Sequence, residues 1–251
     1  MFIPKLKVSI VDFETNARFI CNYCSKEKEE NNTRPFFEKT LMLYPELEKV
    51  RDMADCGEQD GFIRQAVINR LTENRAEIEA RTAHFQEVFD SFIPEFIEAQ
   101  CKLFNYEWRE SDPIINCYVG YTPFYPRSTE DKCFYVSYQD EERVFSGAVH
   151  EINHMVFFEK WKEMHGATEE KQWPNPLWYL EEIIVDPTLN DERVKKHTLY
   201  DNKAYPQFYE VGADGVSLMD LVKECYRNSA NIETFLDDSY EIIKKKVGGK
   251  V

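Results

Sequence analysis

Long apolar runs are missing from this 251-residue chain. No stretch approaches the roughly 18 consecutive apolar residues of a membrane-spanning helix, which excludes that class of protein and a membrane partner. An excess of cations is missing as well. The 31 Lys and Arg stand against 46 Asp and Glu, a formal net charge of −15. Nucleic-acid binding relies on cations that neutralise phosphates, so the acidic balance disfavours it and no nucleic-acid partner is expected. Glycine and proline are few, 9 and 11, which excludes collagen-like and low-complexity chains. No internal repeat is visible. The opening MFIPKLKVSIVDFE has neither the apolar core nor the small-residue cleavage site of a secretory signal, so a cytoplasmic location is expected. The seven cysteines are an odd number, as expected of reduced thiols. Cys21-x-x-Cys24 lacks the second pair of a zinc knuckle and the βαβ setting of a thioredoxin-like motif, and reads as incidental.

What is present is a globular composition rich in aromatics, with 18 Phe, 14 Tyr and 4 Trp. A chain of this length can bury roughly 70–75% of its unfolded surface and needs neither disulfides nor a structural metal to fold. Residues 5–13 alternate polar and apolar side chains, a strand pattern. Residues 26–34, KEKEENNTR, read as a solvated loop. Over residues 45–104 the period changes. Ile63, Val67 and Leu71, then Phe85, Val88, Phe89, Phe92, Ile93, Phe96 and Ile97, recur at helical spacing, with Pro94 bending or dividing the last helix.

Strands are predicted over 114–121 and 133–138, both rich in β-branched and aromatic residues. Helices are predicted over 140–164, ended by Gly166, and over 177–186, stopped by Pro187. A Tyr-rich loop then spans 198–215, and two short helices near 217–228 and 231–246 close the chain. This predicts a helical N-terminal region with an initial strand, residues 1–112, followed by an α+β region, residues 113–251, either as two parts or as one continuous domain.

The chemistry-bearing segment is Gly147-Ala148-Val149-His150-Glu151-Ile152-Asn153-His154. On a helix, residues four apart are separated by about 40° around the axis and one turn along it, so both imidazoles can share one ion. Zn²⁺ takes nitrogen ligands at about 2.0–2.1 Å. Glu151 projects about 100° from His150, flanking the metal without binding it. A carboxylate there can take a proton from water whose pKa zinc lowers to about 7. This is the metalloprotease reading of the motif.

A third protein ligand is needed. The extended HExxHxxGxxH pattern would put Gly and His where Phe157 and Lys160 stand, so that class is excluded. The other histidines are His84, His165 and His197. A carboxylate from the apolar helix at 177–186 is the better candidate, either Glu181 or Glu182. Glu182 is favoured because Asp186 lies one turn beyond it and can accept the free N–H of a ligand histidine.

The pairing of His-Glu-x-x-His with a downstream Glu helix resembles the gluzincin branch of the zincin metallopeptidases. Tyr179-Leu180-Glu181-Glu182 is similar to the aromatic-Leu-x-Glu sequence of that branch, and Glu182 to Asp186 to its Glu-x-x-x-Asp spacing. The resemblance covers about residues 115–190. The branch's Asn before the Glu is absent, which leaves Glu181 and Glu182 both open. The resemblance implies a mainly helical, zincin-like α+β domain with a small sheet beside the active-site helix. It also implies Zn²⁺ on His150, His154 and Glu182, with Glu151 as general base and peptide or protein substrates. A strand before the active-site helix, here 133–138, would pair with extended peptide. A Tyr or His opposite the metal would stabilise the oxyanion. Tyr200, Tyr205, Tyr209 and His197 follow the Glu helix, and Tyr209 is selected among them. The alternative is a metal-bearing binding or regulatory protein that turns over no substrate.

Overall fold

The computed structural model describes residues 1–24, 34–53, 55–167, 169–198, 200–212 and 215–247. The charge run at 26–34 lies outside the described residues up to Thr33, as do residues 199, 213 and 214 of the Tyr-rich segment. The fold is α+β, mostly helical with one four-stranded mixed sheet. Among the described residues no helix is long and apolar enough to cross a membrane. The chain groups into two compact units that interleave in sequence. Their boundaries fall within helices, at 90/91 and 147/148, and at 5/6 and 113/114.

One unit holds Leu6–Asp90 and Ile114–Gly147. Its strands are β1 (Lys5–Ile10), β2 (Ile114–Gly120), β3 (Arg127–Ser128) and β4 (Cys133–Ser137), in the order β1-β2-β4-β3. β2 and β4 are parallel, from Asn116 opposite Cys133 to Gly120 opposite Ser137. Ile115, Cys117 and Val119 alternate into the core, as a period of two requires. β3 pairs antiparallel to Cys133 and Phe134, and Tyr135 N–H reaches Pro126 O at 2.9 Å. The outer edge of β4 is therefore filled by the chain itself over residues 133–135, where a peptide-pairing edge is expected from the resemblance.

Helices α1 (Phe13–Cys24), α2 (Arg34–Leu43) and α3 (Cys56–Glu73), and a 3₁₀ segment (Pro45–Asp52), surround one another in this unit. α1 buries Ala17, Ile20, Tyr23 and Cys24, a helical spacing that the Cys-x-x-Cys pair obscures. Asn16 docks α1 on the end of β2: its Oδ1 accepts from Tyr121 N at 2.9 Å and its Nδ2 donates to Tyr121 O at 3.2 Å. Gly120 is required for this approach. A Cβ there would meet Asn16 Oδ1 and lie 2.6 Å from Val11 Cγ1.

The other unit holds Met1–Lys5, Ser91–Pro113 and Ala148–Val251. Helix α4 (Arg75–Leu103) enters it unbroken through Pro94. The missing N–H is tolerated because Phe92, Ile93, Phe96 and Ile97 bury one side of the helix around it. Helix α5 (Glu141–His165) ends at Gly166, whose φ of +82° favours glycine. The expected helix at 177–186 is two: α6 (Pro176–Ile183) and α7 (Val185–Leu189). Pro187 does not stop the helix; it sits in the first turn of α7, where its missing N–H has no intrahelical partner to lose. Then follow α8 (Glu192–Lys195), a 3₁₀ turn (Pro206–Tyr209), α9 (Leu218–Asn228) and α10 (Ile232–Val247), which packs on α6.

Candidate metal centre

Helix α5 begins at Asp140, whose Oδ1 accepts from Arg143 N at 3.1 Å, and its first turn carries Glu141 and Glu142, matched to the positive end of the helix dipole. From Ala148 to Trp161 every residue except His150 is buried, so the segment needs apolar character all round. Ala148, Val149, Ile152, Met155, Val156 and Phe157 supply it. Helix α6 starts at Asn175, whose Oδ1 accepts from Leu177 N at 2.9 Å, with Pro176 at the first helical position. Leu177, Leu180 and Ile183 are buried on it and carry Glu181 and Glu182 inward with them.

The two imidazoles meet at their Nε2 atoms, 2.8 Å apart, with ring centroids at 4.5 Å and planes at 77°. Glu182 Oε2 lies 3.4 Å from His150 Nε2 and 3.6 Å from His154 Nε2. A tetrahedral zinc with bonds of about 2.0–2.1 Å places its donors about 3.3 Å apart. The three separations bracket that value. Two nitrogens and one carboxylate also leave a fourth position open, as catalytic zinc sites do and structural ones do not. Among the described residues, His150, His154 and Glu182 form the one group of three such donors that could hold a metal ion.

No protein-family profile matches the chain, and no curated protein or solved structure matches it. Function is therefore read from the side chains themselves.

Burial would raise the pKa of the Glu182 carboxyl. The charge of His154 and hydrogen bonds from His150 and His154 outweigh burial and hold it well below the usual carboxylate range. His150 keeps 26% of its side chain exposed, whereas His154 has none exposed and Glu182 5%. Solvent reaches the group from the His150 side.

Glu151 is buried and stands outside the donor group. Glu181 is buried as well and also stands outside it. Asp186, expected beside a ligand histidine, is engaged elsewhere. Its Oδ1 pairs with Lys223 Nζ at 2.8 Å and accepts from Asn190 Nδ2 at 3.2 Å; its Oδ2 accepts from Tyr209 Oη at 2.5 Å. Tyr209 in turn accepts from Ala204 N at 3.0 Å. The single phenolic proton is committed to Asp186, and an oxyanion role for Tyr209 would require that bond to break. The remaining histidines pair with other carboxylates: His84 with Glu141 at 3.2 Å, His165 with Asp237 at 2.9 Å and His197 with Glu95 at 3.2 Å.

All seven cysteines are free thiols. Burial pushes Cys21 up to about 11 and Cys24 up to about 12, which disfavours the reactive thiolate at this Cys-x-x-Cys pair. Asn153 escapes notice in the sequence. Within the site motif it reads as one more uncharged position, yet it is fully buried and hydrogen-bonded to side chains of α4 and α7. Its signal was its type: Asn is a poor choice for the interior of a buried helix unless its amide has partners.

Proposed function

We propose that this protein is a zinc-dependent metallopeptidase with a zincin-like active-site region, hydrolysing peptide bonds in peptide or protein substrates. The observation that carries this reading is the convergence of His150 Nε2, His154 Nε2 and Glu182 Oε2, with Glu151 next to His150 in the chain but outside the donor group. Bound there, Zn²⁺ supplies Lewis acidity toward a carbonyl oxygen and toward water. The ionised Glu182 offsets part of the dication's charge. The Glu151 carboxylate takes a proton from the attacking water and passes it to the leaving amine nitrogen. Exposure of His150 alone among the three ligands gives substrate an approach from that side. Seven free thiols fit a reducing compartment, the cytoplasm.

Glu151→Gln tests the reading, because it keeps size and hydrogen bonding and removes the basic oxygen. The variant should retain zinc and fold while peptide turnover falls at least about 10²-fold, the lower end of acid–base contributions. His150→Ala should lose metal and turnover together. Undiminished turnover by zinc-loaded Glu151→Gln would remove Glu151 from the mechanism. Zinc-loaded wild type that cleaves nothing across a broad peptide library would instead support a metal-bearing binding protein. Elemental analysis of protein purified without added metal settles whether zinc is the ion held.

A further inference from the structure

Asn153 Oδ1 accepts from Gln100 Nε2, and Thr188 Oγ1 lies 3.0 Å from the same Oδ1 with its single proton shared between this oxygen and the nearer Ile184 O. Thr188 Oγ1 also lies 2.7 Å from Ile184 O, one turn back. All three side chains are fully buried. Gln100 belongs to α4, Asn153 to α5 and Thr188 to α7, which follows the Glu182-bearing α6 after one residue. A single amide therefore joins the helix that carries both histidines to the segment that carries the carboxylate.

The placement of Asn153 around α5 is informative. At about 100° per residue, His154 lies about 40° from His150 and Glu151 about 100° in the same direction. Asn153 lies about 60° the other way. It flanks the histidine pair opposite the proposed base, where a fixed bond limits rotation of the helix about its own axis. A ring nitrogen roughly 7 Å from that axis moves about 1 Å for a turn of about 10°, and a productive site tolerates only about 0.5 Å.

We infer that Gln100, Asn153 and Thr188 are positioning residues: a buried polar clamp that fixes the roll of α5, and so aims His150, His154 and Glu151 relative to Glu182. This rests on the metal-centre reading above. Packing alone is a poorer account. Gln100 Oε1 and Asn153 Nδ2 are buried with no hydrogen-bond partner among the described residues, so an apolar trio of the same shape would be cheaper to bury. Locally unfavourable choices of this kind are expected where geometry is used.

The test compares wild type with Thr188→Val, Thr188→Ser and Gln100→Leu, each full length and metal-stripped. Zinc affinity is measured by chelator competition, cobalt(II) is added as a spectroscopic probe, and thermal unfolding of the metal-free proteins is followed in parallel. Thr188→Val and Gln100→Leu should weaken zinc binding by about 10–100-fold, the range seen when groups supporting metal ligands are lost. They should also shift the cobalt visible spectrum, which a loss of stability alone would not move. Thr188→Ser should restore both. Folded Thr188→Val and Gln100→Leu proteins with wild-type affinity and spectrum would overturn the clamp alone. Wild type that takes up neither zinc nor cobalt would overturn the metal reading and the clamp with it.

Discussion

Tyr209→Phe removes one oxygen and separates two roles for this residue. The phenol donates to Asp186 Oδ2 at 2.5 Å and accepts from Ala204 N at 3.0 Å. A hydrogen bond to a charged group contributes about 1.5–3 kcal/mol, and one from a backbone amide about 0.5–1.5 kcal/mol. Asp186 keeps Lys223 and Asn190, so its charge is not stranded and the loss stays near the lower part of the sum. A destabilisation of about 2–3 kcal/mol follows, lowering the melting temperature by roughly 4–12 °C for a chain of this size.

The loss has a pH signature. Burial first, and then the bond to Asp186, raise the Tyr209 pKa above its ordinary value of 10.0. A raised pKa contributes stability that is complete below the unfolded value and disappears as pH rises through the folded one. The gap between wild type and Tyr209→Phe should hold from pH 7 to 9 and begin to narrow above about pH 10, the unfolded value, closing only as pH passes the raised folded one. Circular dichroism melts at several pH values measure it, and peptide turnover is read on the same samples. If the phenol holds Asp186, turnover at a temperature where both proteins are folded changes less than about tenfold. An unchanged melt with turnover lowered about 10²-fold would refute this assignment and return the residue to the oxyanion.

Glu182→Ala should weaken zinc binding in a competition titration far more than Glu181→Ala, because only Glu182 lies within the donor group; the reverse order would move the ligand to Glu181. Gly147→Ala gains about 1 kcal/mol of helix propensity. It also sets a Cβ 2.8 Å from Tyr125 Cδ2, and such overpacking costs about 1–3 kcal/mol; urea unfolding should show no net gain, and a clear stabilisation would mean the ring moves aside freely. Asp191 is held down to about 2 chiefly by the Arg193 side chain, helped by Tyr226 and Arg193 N–H. A depressed pKa stabilises above the unfolded value of 3.8 and is lost as pH falls toward 2. Asp191→Asn should cost about 1 kcal/mol at pH 7, after allowing for solvent screening, and flatten stability between pH 4 and 2; a variant with the same acid profile as wild type would contradict the pairing.

The parts of the site legible in sequence are those encoded by local periodicity. The four-residue spacing of His150 and His154 defines a shared face once the segment is helical, and Glu182 is a carboxylate on a short apolar helix. The supporting contacts were not legible, because they join residues far apart in the chain. Gln100 reaches Asn153 across 53 positions and Thr188 reaches it across 35. Asp186 looks like a partner for histidine from its spacing, but Tyr209 and Lys223, brought from later elements, take its oxygens. The fold shows the same division. Strands β2 and β4 and helix α5 follow their patterns to within a residue or so at each end, whereas Pro94 does not divide its helix and Pro187 does not stop its own, because a proline's effect depends on its turn and on the packing around it.

The exposed border of β1 has a further consequence. Val8 N–H donates to Gln86 Oε1 at 2.7 Å, and Gln86 Nε2 donates to Leu6 O at 3.0 Å. One side-chain amide thus occupies one donor and one acceptor among those a fifth strand would use. Unpaired strand borders are templates on which other chains stack during folding and at high concentration. The glutamine amide resembles a peptide group but cannot be extended, and it adds to the exposed Lys5 and Lys7 of β1, which also disfavour pairing of a further strand. Self-association through this border is held off in part by a residue of α4, and a carrier of Gln86→Leu would meet the problem as poor recovery from refolding rather than as a lost reaction.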